Sequence, residues 1–207
     1  MLEIKKITNS KIPNYLNLFF DNDIFHRIHI DIVNKYNLRI GTKLDDEKLK
    51  SIISDNSKIE CYKYAINLIS KKLRTEKELI AKLKLKQYDD NVINEIISRL
   101  KELNYINDNI YSKKYIEILS KKKGFGLTRI KKELLKKGIK KEIINEVLND
   151  EIKLEMNYEL IKNQLKKKLK LLEKKDINKK KNSLLLFLKS KGIPSNKAFE
   201  LINELLS

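Results

Sequence analysis

Three stretches of this chain place their apolar residues in one register, and this recurrence constrains the fold more than any single motif. They are LIAKLKLKQYDDNVINEII (79–97), IKKELLKKGIKKEIINEVL (130–148) and LLLFLKSKGIPSNKAFELI (184–202), offset by 51 and 54 residues. Leu79, Ile130 and Leu184 coincide, as do Leu83, Leu134 and Leu188, then Tyr88, Ile139 and Ile193. Further along, Ile93, Ile144 and Ala198 coincide, followed by Ile96, Val147 and Leu201 and by Ile97, Leu148 and Ile202. Spacings of three and four residues mark one face of a helix, so each copy reads as a helix, a tight turn and a second helix. Gly138 and Gly192 fall where a helix closes on a left-handed residue, and Gln87 takes that place in the first copy. Thr75 with Glu78 reads as a capping box and Asp89 as an N-cap. A further helix is expected before each pair, over 57–72, 109–122 and 151–174.

The expected architecture is mainly α: three tandem three-helix repeats forming an elongated, curved, solenoid-like array, because each repeat buries its apolar face against its neighbours. The boundaries fall at 56–106, 107–149 and 150–207, after an N-terminal α/β segment over 1–55. That segment follows a different period. LEIKKI, Tyr15–Phe20 and Ile24–Ile30 are rich in β-branched and aromatic residues and read as strands, with a hairpin turn at Asp21-Asn22-Asp23. Short helices are expected over 31–36 and 45–54, and the segment either docks on the array or moves separately on a short linker at 54–58.

The charge is concentrated after this segment. Lys and Arg number 46 against 28 Asp and Glu, a net charge of +18. Residues 1–55 carry 9 basic and 8 acidic groups, leaving 37 and 20 for the rest. Clustered cations bind polyanions through counterion release. Some of the excess reflects general use of Lys, Asn and Ile, as an AT-rich coding sequence produces, so location and the rarer arginines carry more information. On the helix from 127 to 136, Leu127, Ile130 and Leu134 define the buried side and Arg129, Lys132 and Lys136 a cationic stripe. Lys121, Lys122 and Lys123 lie just upstream. In the third repeat, Leu154, Tyr158, Ile161, Leu165 and Leu172 form an apolar seam beside Lys162, Lys166 and Lys170. Tyr62, Tyr64, Tyr105, Tyr111 and Tyr115 occupy apolar positions suited to core packing, with base stacking as the alternative.

Several functional classes find no support. No uncharged run is long enough to span a membrane, and MLEIKKITNSKIPN lacks the apolar core of a signal peptide, so a cytoplasmic monomer is expected. Cys61 is the single cysteine and reads as a buried helical residue, which leaves no disulfide framework or cysteine zinc site. His26 and His29, three apart on a strand, point to opposite faces and read as surface or half-buried. GFGLTR (124–129) lacks the third glycine and the preceding strand of a dinucleotide loop and reads as a turn into a helix. No catalytic constellation emerges, and no cofactor or metal is expected.

The motifs now in view resemble the RecX family of bacterial regulatory proteins. The matching residues are Leu103, Tyr105, Ile106, Asn107, Asp108 and Tyr111 of an LxYINDxxY segment, then Gly124, Gly126, Arg129, Ile130, Glu133 and Leu134 of GxGxxRIxxEL. Lys137, Gly138 and Ile139 match KGI, RTEKELIAKL (74–83) resembles the family's repeat opening, and KGIPSNKAF resembles its C-terminal repeat. VNKYNLRIGTKLDDEKL (33–49) is similar to the family's N-terminal extension, whereas DIFHRIHI departs from its glycine-containing hairpin. The resemblance implies a non-enzymatic regulator that binds RecA in the groove of the RecA-DNA filament and limits strand exchange, ATP hydrolysis and coprotease activity. Under that implication Arg129, Lys132 and Lys136 are the expected contacts, with Tyr105 and Asp108 organising the first junction between repeats. A direct, sequence-nonspecific DNA-binding protein is the alternative.

Overall fold

The computed structural model describes residues 1–21, 24–149 and 157–206. Two compact units are present: residues 1–73 with 79–105, and residues 74–78 with 106–207.

In the first unit an antiparallel sheet is built from β1 (Leu2–Asn9), β2 (Tyr15–Phe20), β3 (Phe25–His29) and β4 (Lys43–Leu44), in the order β3-β2-β1-β4. Alternation along the strands sends one face to the core: Ile4 pairs with Phe20 and Leu16 with Ile28. These residues and Leu18 pack on Ile32 and Val33 of α1 (Ile30–Lys35) and Ile52 of α2 (Asp46–Lys71). The three strands read from sequence are all present. The two-residue β4, held to Leu2 and Glu3, is too short to leave a periodic signal. Of the expected hairpin turn, Asn22 and Asp23 lie outside the described residues.

Of the two alternatives for 54–58, a linker does not form: α2 runs without interruption from Asp46 to Lys71. Ser54, Asp55, Asn56 and Ser57 are weak helix formers and imitate a linker in sequence. Tertiary bonds overrule that preference: the buried Asn56 accepts from His29 N–H at 2.8 Å and donates to Arg27 O at 3.2 Å. His29, expected at or near the surface, is only 4% exposed. Its ring packs edge-on against Tyr15 and its Nδ1 lies 3.2 Å from Asp31 N, at the start of α1. Cys61 is buried, as expected, and burial pushes its thiol up to about 11.

The helical registers recur in three dimensions. α3 is Glu76–Lys84, α4 Asp90–Glu102, α5 Asp108–Glu117, α6 Leu127–Lys136, α7 Lys141–Asn149, α8 Tyr158–Lys170, α9 Ile177–Lys191 and α10 Ser195–Leu206. Leu79, Leu83, Ile130, Leu134, Leu184 and Leu188 are all 0% exposed. Their partners across the turn, Ile93, Ile144 and Ala198, are buried as well. Gln87, Gly138 and Gly192 adopt φ of 60°, 83° and 76°, the left-handed closure expected of each turn.

Details differ. The helix expected over 109–122 ends at Glu117 and continues as a π-helical turn, Ile118–Lys122. Of the helix expected over 151–174, residues 151–156 lie outside the described residues, Leu154 among them, and α8 stops at Lys170. Leu172 is buried just beyond it, whereas Tyr158 is 39% exposed. Leu127 is also exposed: as the first residue of α6 it precedes the stripe formed by Ile130 and Leu134. Tyr105 is 53% exposed, in the turn after α4, and does not pack in a core. Tyr111 does, beside Tyr115.

Candidate nucleic-acid and partner interface

The second unit contains two places where successive repeats meet. At the first, Thr75 Oγ1 accepts from Glu78 N–H at 3.1 Å and donates to Lys137 O at 2.8 Å. The Glu78 carboxylate does not complete a capping box with Thr75 but reaches Lys137 Nζ at 2.5 Å. That bond is the main reason the Lys137 ammonium is held above its ordinary pKa. Asp108 Oδ1 accepts from Glu76 N–H at 3.0 Å, so the aspartate of the YIND segment satisfies an otherwise open donor at the start of α3.

At the second, Gly126 N–H donates to Lys191 O at 2.9 Å. Gly126 and Gly192 approach so closely that a Cβ on Gly126 would overlap the Gly192 carbonyl, which explains both glycines physically. Side chains then gather around Phe125. The Arg129 guanidinium lies 5.4 Å from the ring centroid, Lys191 Nζ 5.1 Å and Lys123 Nζ 5.9 Å. Lys191 also lies over Phe187 at 5.5 Å and donates to Lys123 O at 2.8 Å. Burial, then the neighbouring charges of Arg129 and Lys123, pull its pKa down.

Arg129 is not a free cation. Its NH2 lies 2.9 Å from Glu133 Oε1, close enough to pair in charge though not aligned as a hydrogen bond. Lys136 Nζ shares that oxygen at 3.6 Å. Lys132 is exposed on the same helix and forms no ion pair among the described residues. Upstream, Lys121 pairs with Glu117 at 3.4 Å, while Lys122 is exposed at the end of the π-helical turn. In the third repeat Lys162 is tied to Glu204 at 2.5 Å, and Lys166 and Lys170 project from α8 without an ion pair among the described residues.

The geometry therefore brings Lys123 and Arg129 together and leaves Lys132 and Lys136 beside them. It adds Phe125, Lys191, Phe187 and Lys168, the last lying 5.5 Å from the Phe187 ring. The repeat register contained a signal for Lys191, which occupies the place of Lys137 one residue before the turn glycine. No group of three or more His, Cys, Asp or Glu among the described residues could hold a metal, and no described helix is long and apolar enough to cross a membrane.

The first and second three-helix domains of RecX match residues 61–100 and 107–148. A "Regulatory protein RecX" of Clostridium beijerinckii is 36% identical over 138 residues, covering 67% of this chain and 62% of the relative. The chain belongs to the RecX family. A RecX of Clostridioides difficile is 32% identical, covering 60% of this chain and 58% of the relative. The chain thus spans less than two thirds of the length of these curated RecX proteins. Among solved structures, a crystal structure of regulatory protein RecX superposes with a TM-score of 0.73 at 22% identity, covering 99% of this chain and 100% of that one. RecX from Lactobacillus salivarius gives 0.62 at 29% identity over 73% and 97%. The mainly helical fold with a small N-terminal strand segment is therefore that of RecX.

Proposed function

We propose that this RecX-family chain is a cytoplasmic, non-enzymatic regulator that binds the RecA-DNA filament and lowers RecA's recombinase, ATPase and coprotease activities during DNA repair. The observation that carries the reading is the cation-rich surface at α6 and the second repeat junction, set on a RecX fold. Such a surface tolerates DNA phosphates while a protein interface forms beside it. Arg129, Lys132 and Lys136 are its proposed contacts.

A second reading is direct, nonspecific DNA binding, with effects on RecA following from competition for DNA. It is favoured by Lys122, Lys132, Lys166 and Lys170, none of which forms an ion pair among the described residues. The deciding experiment measures binding of the chain to RecA filaments on single-stranded DNA with a non-hydrolysable nucleotide, beside naked single-stranded DNA, over a salt series. Tighter and less salt-sensitive binding to filaments supports the regulator. Equal affinities falling steeply with salt support the second reading.

A further inference from the structure

Lys137 and Lys191 occupy equivalent places in successive repeats, each one residue before the turn glycine. Their carbonyls are held alike, by Thr75 Oγ1 and by Gly126 N–H, and these two residues are themselves equivalent at the 51-residue offset. The side-chain partners are not alike. Glu78 neutralises Lys137, but the residue 51 positions after Glu78 is Arg129, so Lys191 faces a second cation where its counterpart has a carboxylate.

We propose that this second junction is a phosphate-binding site, with Arg129, Lys191 and Lys123 around Phe125 as its donors. Like charges gathered beside one ring repel each other and are costly in the free chain unless an anion joins them. Glu133 is the one carboxylate ion-paired to the group among the described residues, and it is already shared by Arg129 and Lys136. Donors remain open: Arg129 Nε is buried without an acceptor among the described residues, and Lys191 directs one of its three N–H groups to Lys123 O. A guanidinium fork flanked by two ammonium groups matches a tetrahedral oxyanion, which accepts from several directions, better than a planar carboxylate. Lys122, Lys132 and Lys168 extend the positive field in a way that suits the flanking charges of a polyanion.

This inference deepens the regulator reading but is tested on the free chain, so its failure leaves the filament experiment undecided by it. The 15N spectrum of the full chain contains five glycines, which keeps the Gly126 and Gly192 amides easy to follow. The chain is titrated with inorganic phosphate, with oligothymidylate and with a polyglutamate peptide, each against chloride at matched ionic strength. Movement of both amides with phosphate or oligothymidylate is expected, the stronger of the two identifying a free or a nucleic-acid source. Arg129→Glu should weaken that response by about tenfold or more. Its melting temperature should change little, because the new carboxylate would face Lys191 as Glu78 faces Lys137 while the pair with Glu133 is lost. Lys191→Gln is the second variant and should weaken the response in the same way. The proposal is overturned by a response no larger than that to chloride, by retained binding in both folded variants, or by polyglutamate binding as tightly as oligothymidylate.

Discussion

Asn56 closes the outer edge of β3, the end strand of the sheet, by offering its side-chain amide where a neighbouring strand would offer backbone. Replacement by Leu removes both bonds and leaves the His29 N–H and Arg27 O without these partners. A loss of about 1–3 kcal/mol is expected, read as a lower urea midpoint. His29 next to it supplies a pH dependence. Its Nε2 lies 2.6 Å from Lys63 Nζ and its Nδ1 faces both Asp31 N–H and the Asp31 carboxylate. A doubly protonated ring has no lone pair left for Lys63 or for the helix cap. Burial first, then Lys63, hold its pKa below the ordinary value against the opposing pull of Asp31. The unfolded ring titrates at about 6.5, so below that pH the unfolded chain takes up a proton that the folded chain resists. Stability should hold above about pH 7 and decline as pH falls through the unfolded value toward the folded one. Burial shifts His26 the same way, so His29→Asn, which still caps α1, should remove only part of the decline in urea midpoint.

At the level of elements, the repeat helices were legible because a 3.6-residue period survives substitution of one apolar residue for another. Leu79, Ile130 and Leu184 differ in kind yet are all fully buried. The contacts at the ends of these elements were less legible. Leu127 fits the pattern by spacing but starts its helix outside the packed stripe, and Tyr105 looks apolar by type but sits in an open turn. Of the candidate cations, only their presence could be read; the grouping of Lys123 and Arg129 with Lys191 depends on contacts 62 to 68 residues apart in sequence. The two junctions make separate predictions. Gly126→Ala forces backbone apart at Gly192 and should cost about 1–3 kcal/mol, seen as a lower melting temperature. Glu78→Gln removes a partly buried carboxylate from Lys137 and should cost about 1 kcal/mol by urea denaturation, the neutral amide keeping the shape of the contact.

For the whole molecule, net charge was readable at once, and its distribution of 37 basic to 20 acidic groups beyond residue 55 sets an expectation for any polyanion. Reversing Lys132 and Lys136 together should reduce the slope of log affinity against log salt on single-stranded DNA by about 1–2, measured by anisotropy. Whether the N-terminal segment moves on a linker at 54–58 was not legible in the sequence, because four weak helix formers there are compatible with either slack or helix. α2 is a single beam of 26 residues, about 39 Å long, with the sheet packed along its first half and Cys61 and Ala65 buried along its second. A torque applied at the sheet is therefore delivered to the first three-helix repeat without play, and a protease searching for a hinge between them would find only intact helix.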